Sequence, residues 1–196
     1  MFLTTALGQF QDIQTPGTEE AYWKVMQTKS SPFFGAAFYL GGLMGGTAIE
    51  TADRLRDLGR LYGEMIQIHD DLNDSLAIPA NPDWIQNRSP LPILFAKLVG
   101  HPDRARFAAL CQDIHASGAL EEAQEILIRC GAVSYCVDPL VRRSQSVRAM
   151  LTALPLKQPE PLTGLFERVI APVWNLFEMA GEKLEISNLN EQAGPG

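Results

Sequence analysis

Three aspartates and a glutamine lie within one short stretch of the chain, GEMIQIHDDLNDS at residues 63–75. On a helix, Asp70 and Asp74 stand one turn apart on the same face, with Asp71 beside them and Gln67 one turn earlier. Aspartate is a poor residue for a helix interior, and like charges four residues apart repel by about 0.2–0.5 kcal/mol per pair. A bound divalent cation would offset this repulsion.

Magnesium suits such a face, because Mg²⁺ binds through one or two carboxylates while water and phosphate oxygens complete its octahedron. The alternative is a solvated acidic helix face with no ligand. A calcium EF-hand is excluded by the spacing. A loop that begins at Asp70 has Leu72 at its third position, and one that begins at Asp71 has Leu76 in place of glycine and Pro82 in place of glutamate.

Helical periodicity runs through almost the whole chain, as in the apolar series Leu61, Met65, Ile68 and Leu72, while strand-type alternation is scarce. The sequence therefore predicts an all-α fold. Apolar periodicity bounded by Pro and Gly clusters predicts helices at 20–28, 31–50, 53–77, 91–99, 103–115, 118–131, 134–153 and 161–181.

With 196 residues and 46% hydrophobic content, the chain can bury a core as one domain. We expect a single helical domain over 1–185 and a flexible polar tail over 186–196. The formal net charge of -7 argues against a general nucleic-acid binder.

Three cysteines without metal-site or C-x-x-C spacing indicate reduced thiols, and residues 1–15 do not resemble a secretory signal. These features predict a cytoplasmic protein. The uncharged segment 30–49 is rich in glycine and begins near Pro32, so we expect a buried helix and no membrane span. Its glycines Gly41, Gly42, Gly45 and Gly46 predict close packing against the acidic helix.

The acidic stretch resembles the second aspartate-rich motif of the trans-isoprenyl diphosphate synthases, a Gln and two variable residues followed by DDxxD. GQFQDI at 8–13 resembles the GQxxD helix of that family, and VMQTKSSPFFGAAFYLGGLMGG at 25–46 resembles its K-[TS] segment and glycine-rich helix. DWIQNRSPLPILFA at 83–96 resembles the stretch in which a basic residue and T-L-P precede the next helix. These matches follow the family's order along the chain.

The resemblance implies an isoprenoid-synthase-like antiparallel helical bundle around an apolar cavity. The chain would correspond to the C-terminal portion of that fold and lack the N-terminal helices. It also implies a prenyltransferase that uses Mg²⁺ to ionise an allylic diphosphate and joins the carbocation to isopentenyl diphosphate.

The resemblance also implies roles for individual residues. Asp70 would be the Mg²⁺ ligand, with Asp71 and Asp74 holding metal-bound water or supporting positions. Lys29 and Ser30 would contact the diphosphate, and Gln67 would hydrogen-bond near the diphosphate or the cation, so that Lys29, Gln67 and Asp70 act in catalysis.

Further residues are carried over in the same way. Gln9 and Asp12 would line the cavity, and Arg88 stands where the family commonly has a lysine. A guanidinium can bind phosphate oxygens bidentately. The aromatic series Phe33, Phe34 and Phe38 either walls the apolar chamber or forms ordinary core.

Two departures from the family leave the function open. No second D-D-x-x-D occurs in the sequence, and no lysine lies between Asp74 and Lys97, where the family has a G-K. The first hypothesis is a prenyltransferase half that forms a homo- or hetero-oligomer, or depends on further residues, to complete its metal site. The others are a non-catalytic regulatory subunit and a helical interaction module or terpene-cyclase-like relative.

Overall fold

The computed structural model describes residues 2–13 and 17–179, and every regular element in these ranges is a helix, so the predicted all-α fold is confirmed. Ten helices are described there. They are α1 (Phe2–Ile13), α2 (Glu19–Lys29), α3 (Ser31–Met44), α4 (Ile49–Leu76), α5 (Pro82–Ile85), α6 (Leu91–Leu98), α7 (Arg104–Gln112), α8 (Ala119–Arg129), α9 (Ala132–Ala153) and α10 (Glu160–Met179).

The described helices differ from the predicted ones at three places, and two of these differences have local causes. The helix predicted over 31–50 ends at Met44, because Gly46 turns the chain with a φ of 77°, and α4 begins at Ile49. α5 lies in a proline-rich stretch expected to be irregular, where the Asn81 side chain accepts a hydrogen bond from Asp83 N. α1 has no counterpart among the helices predicted from periodicity. The tail predicted at 186–196 lies outside the described residues.

The largest apolar cluster forms around one side of α4. Leu58, Met65 and Ile68 are fully buried there, against residues of α9 and α10 such as Leu140 and Phe166. Each such side chain contributes about 1.5–3 kcal/mol through burial. A second cluster joins α5, α6, α7 and α8. The apolar side of α4 is thus buried, which leaves its acidic side to face a cavity.

α3 and α4 pack side by side as predicted, but the predicted glycines are largely the wrong ones. Of the four, only Gly42 meets α4, where an added Cβ would lie 2.7 Å from Leu55. Gly41 faces open space, and Gly45 and Gly46 lie beyond the end of α3. The close approach depends instead on glycines of α4, above all Gly59, whose Cβ would lie 2.4 Å from the carbonyl oxygen of Phe34.

The predicted aromatic series divides between core and surface. Phe34 and Phe38 both contact Tyr62, and Phe38 and Tyr62 contact Phe166. Phe33 is 51% exposed. Two of the three rings therefore belong to the packing between α3, α4 and α10.

Within the described ranges, no helix combines the length and apolar character needed to cross a membrane. The three cysteines are free thiols, as expected, and Cys111 and Cys136 are buried. Burial raises the pKa of both of these thiols.

We expect Gly59→Ala to destabilise the fold by about 1–3 kcal/mol, because the new methyl group would overlap the backbone of α3. Gly41→Ala is the matched control. It lies on the exposed side of the neighbouring helix with nothing within 4 Å, so it should be neutral or stabilise by up to about 1 kcal/mol. Urea unfolding followed by circular dichroism measures both, and equal effects of the two changes would contradict the packing.

Candidate functional site

A cavity of about 320 Å³ opens beside the acidic side of α4. Its wall is formed by α2, α4 and the connection between α4 and α6. Six of the lining side chains carry charge: Lys29, Asp70, Asp71, Asp74, Asp83 and Arg88. The others are Tyr22, Val25, Met26, Gln67, Asn81, Ser89 and Pro90.

Asp70 and Asp74 are the accessible carboxylates of α4. The Asp70 side chain is 56% exposed, and its Oδ1 lies 3.5 Å from the His69 Nδ1. Asp74 is half-buried, and its pKa is raised by burial and then by the charges of Asp83 and Asp70. Both carboxylates can therefore accept a cation from the cavity, and a cation would relieve the repulsion on Asp74.

Asp71 lies between them in sequence but points into the protein and is only 6% exposed. Its Oδ2 accepts hydrogen bonds from the Tyr22 hydroxyl at 2.8 Å and the Leu91 backbone N–H at 2.9 Å. Its Oδ1 accepts one from Gln67 Nε2 at 2.9 Å. Burial raises the pKa of Asp71 to about 6, although these three hydrogen bonds act in the opposite direction.

Gln67 connects Asp71 to the junction between α2 and α3. Its Oε1 accepts a hydrogen bond from the Ser30 hydroxyl at 3.0 Å while its Nε2 donates to Asp71. These two bonds fix the orientation of the amide and leave one N–H for the cavity. Ser30, predicted to contact a diphosphate, is not on the cavity wall in the described part of the chain and reaches it through Gln67.

Lys29 is the last residue of α2 and lines the cavity. α1 crosses directly over this point, since a Cβ on Gly8 would lie 2.6 Å from the Lys29 backbone nitrogen. Gly8 is the glycine of the GQxxD-like motif. Gln9, next to it, is exposed and is not on the cavity wall, and the side chain of Asp12 lies outside the described residues.

Arg88 enters the cavity from the connection between α4 and α6. Its Nη1 lies 3.4 Å from Asp83 Oδ1, and its backbone N–H donates to the Asp83 carbonyl at 2.8 Å. Lys97 Nζ donates to the neighbouring side chains of Asn87 at 3.0 Å and Ser89 at 3.1 Å. The residues on both sides of Arg88 are therefore anchored to α6.

The other end of this connection is fixed to α8. Trp84 is 2% exposed, and its Nε1 donates to the Ser75 carbonyl at 3.1 Å. Gln124 Nε2 donates to the carbonyls of Ser75 at 3.2 Å and Ala77 at 3.0 Å. These bonds satisfy carbonyl groups that the end of α4 leaves without helical partners.

Among the lining residues that the sequence interpretation missed, Asp83 and Tyr22 bear most directly on the chemistry of the cavity. Asp83 opens the quoted motif DWIQNRS, but its side chain reaches the site only because α5 turns it back toward α4. Tyr22 fits the periodicity of a core residue, and only the structure shows that its hydroxyl donates a hydrogen bond to Asp71.

The cavity fits Mg²⁺ only if carboxylates of the protein and phosphate oxygens of a second ligand together coordinate the ion. In residues 2–13 and 17–179, no three His, Cys, Asp or Glu side chains converge closely enough to hold a metal by themselves. Asp70 and Asp74 nevertheless supply the one or two hard oxygen donors through which Mg²⁺ is usually attached when phosphate oxygens complete its shell. Lys29 and Arg88 line the same cavity and are suited to those phosphate oxygens.

Known proteins match most of this chain. It is 31% identical over 168 residues to nonaprenyl diphosphate synthase of Mycobacterium tuberculosis, covering 79% of this chain and 49% of that protein. It is 27% identical over 155 residues to octaprenyl diphosphate synthase of Escherichia coli, covering 75% and 48%. The chain thus spans about half the length of the curated relatives it matches.

Among solved structures, geranylgeranyl pyrophosphate synthase from Corynebacterium glutamicum, complexed with calcium and isoprenyl diphosphate, matches with a TM-score of 0.74. The identity is 25%, and the match covers 88% of this chain and 57% of that one. The family model described as polyprenyl synthetase matches residues 1–127. The chain therefore belongs to the polyprenyl synthetase family.

Proposed function

We propose that the cavity binds the diphosphate group of an isoprenoid diphosphate together with Mg²⁺, and that the chain forms part of an isoprenyl diphosphate synthase. One observation carries this proposal. Two cationic side chains from separate elements, Lys29 and Arg88, share a cavity with the accessible carboxylates of Asp70 and Asp74. This combination suits a ligand whose negative charge is bound partly by cations of the protein and partly by a metal ion.

The residues of the chain divide this task by their chemistry. Arg88 can bind two phosphate oxygens at once, and Lys29 supplies a compact charge at the end of α2. The remaining N–H of Gln67 can donate to a phosphate oxygen. A bound Mg²⁺ would neutralise diphosphate charge as the allylic bond breaks.

The charge balance of the cavity makes binding of the two ligands mutually dependent. Four carboxylates line the cavity against two cationic side chains, so the cavity repels a free diphosphate. A metal ion on Asp70 and Asp74 removes this repulsion, and the diphosphate completes the metal's coordination shell. Each ligand should therefore strengthen the other's binding.

We further propose that a partner chain, or further residues of a longer protein, completes the metal site. The sequence holds one D-D-x-x-D. In addition, two apolar stripes are exposed at the surface. The first runs along α1 and the second along α3, with helical spacing in each. Their members are Leu3, Leu7 and Phe10 on α1 and Phe33, Leu40 and Met44 on α3. Contiguous exposed apolar faces of this kind usually mark interfaces, which favours an oligomer.

A cytoplasmic location follows from the same proposal. The three free thiols suit a reducing compartment. Isopentenyl and allylic diphosphates are charged metabolites that a water-exposed cavity can bind directly.

Asp70→Ala should abolish the mutual strengthening of Mg²⁺ and inorganic pyrophosphate. In the unaltered chain we expect each ligand to raise the affinity for the other by about 5- to 150-fold, as titration calorimetry would measure. Asp57→Ala removes an exposed aspartate on the same helix that pairs with Arg60, and should leave binding unchanged. Equal binding by the unaltered chain and Asp70→Ala would indicate that the acidic face of α4 is a solvated surface without a ligand.

Lys29→Ala should weaken binding of pyrophosphate with Mg²⁺ by about tenfold or more, because it removes a charge-assisted contact. Helix content should not change, since no core volume is lost. Lys24→Ala, an exposed lysine on the same helix, serves as the control. A similar loss in both variants would mean that α2 acts through general charge and that Lys29 makes no specific contact.

Turnover should be very low for the chain alone and should rise when the complementary half or partner is added. Incorporation of labelled isopentenyl diphosphate into an allylic diphosphate measures it directly. Vigorous elongation by the isolated chain would contradict the incomplete metal site. Pyrophosphate binding without turnover in the assembled complex would identify the alternative, a non-catalytic regulatory subunit.

A further inference from the structure

We propose that Asp71 is a positioning residue, whose buried carboxylate joins α2, α4 and the start of α6 and so holds Lys29 and Arg88 at the cavity. This inference rests on the proposed diphosphate site. It gives the second aspartate of the motif a task distinct from metal binding, which stays with Asp70 and Asp74.

The hydrogen bonds of Asp71 come from three separate elements. Tyr22 belongs to α2, Gln67 to α4, and Leu91 is the first residue of α6. A carboxylate has about four acceptor positions, and three are occupied by these donors at 2.8–2.9 Å. Only one position is left for a metal ion, on a side chain that is 6% exposed.

The donors of the two longer-range hydrogen bonds, Tyr22 and Leu91, each lie close in sequence to a cationic residue of the cavity. Tyr22 and Lys29 are seven residues apart on α2, so they lie on the same face two turns apart. Leu91 follows Arg88 by three residues, and the intervening Ser89 is held by Lys97. Fixing Tyr22 and Leu91 on one carboxylate therefore fixes α2, which carries Lys29, relative to the start of α6, which Arg88 precedes by three residues.

The start of α6 gains electrostatically from the same contact. A carboxylate that accepts from the first N–H of a helix interacts favourably with the positive end of the helix dipole. This position has Pro90 as its cap residue, and Pro90 makes no side-chain hydrogen bond. Asp71 thus supplies the cap that the local sequence lacks.

Tyr22→Phe tests the proposal, because it removes one donor to Asp71 and keeps the buried ring. We expect pyrophosphate with Mg²⁺ to bind about 3- to 10-fold more weakly, as measured by titration calorimetry. Tyr135→Phe is the matched control. Its hydroxyl donates to Glu19 outside the cavity, and its loss should leave the affinity unchanged.

The decisive comparison uses Tyr22→Phe in the Lys29→Ala background. If Asp71 acts by positioning Lys29, the loss caused by Tyr22→Phe should shrink to less than about twofold there, whereas general loosening of the fold would cost the same in both backgrounds. An undiminished loss, or no loss in the unaltered background, overturns the proposal.

A second measurement does not depend on ligand binding. Asp71→Ala should speed hydrogen exchange at the Leu91 amide at least tenfold more than at the Phe95 amide, one turn further along α6. Equal changes in exchange rate at the two amides would overturn this inference but would not contradict the proposed diphosphate site. Failure of the unaltered chain to bind pyrophosphate with Mg²⁺ would overturn the proposed function and this inference with it.

Discussion

A carboxylate held inside an apolar bundle is tolerated only where hydrogen-bond donors meet it, and Asp71 meets donors from α2, α4 and α6. Its desolvation outweighs these bonds, which is why its pKa rises to about 6. Moving any one of the three helices would leave a donor or the carboxylate unsatisfied. The positions of α2, α4 and α6 around the cavity are therefore coupled through this single buried group.

The sequence predicts much of this arrangement because the spacing of residues within α4 determines which of its sides is buried and which is acidic. Its apolar stripe of Met65, Ile68 and Leu72 specifies which side is buried, and the spacing of Asp70 and Asp74 specifies an acidic side. Spacing cannot say which aspartate turns inward, because that depends on Tyr22 and Leu91, which are 49 and 20 residues away from Asp71. The glycines show the same limit. Their number predicts a close helix pair, but helix ends and rotation decide which of them touch.

The connection between α4 and α6 was the least predictable part of the site. Its prolines indicate a break, and it lacks the lysine that the family has there, yet the chain forms α5 and brings Asp83 and Arg88 to the cavity. This path depends on hydrogen bonds that Trp84 and Gln124 donate to the Ser75 carbonyl, and Gln124 lies 49 residues after Ser75. Contacts of this range are set by packing and leave no local signature.

The anchoring of Trp84 and Gln124 also bears on how a ligand enters and leaves. Enzymes often close a loop over a bound phosphate and reopen it to release product, and the opening step can limit the rate. Here the connection is fastened at one end to α8 and at the other to Lys97 of α6. This wall is therefore held in place at both ends, so a segment that closes over a ligand in the cavity would have to come from another wall.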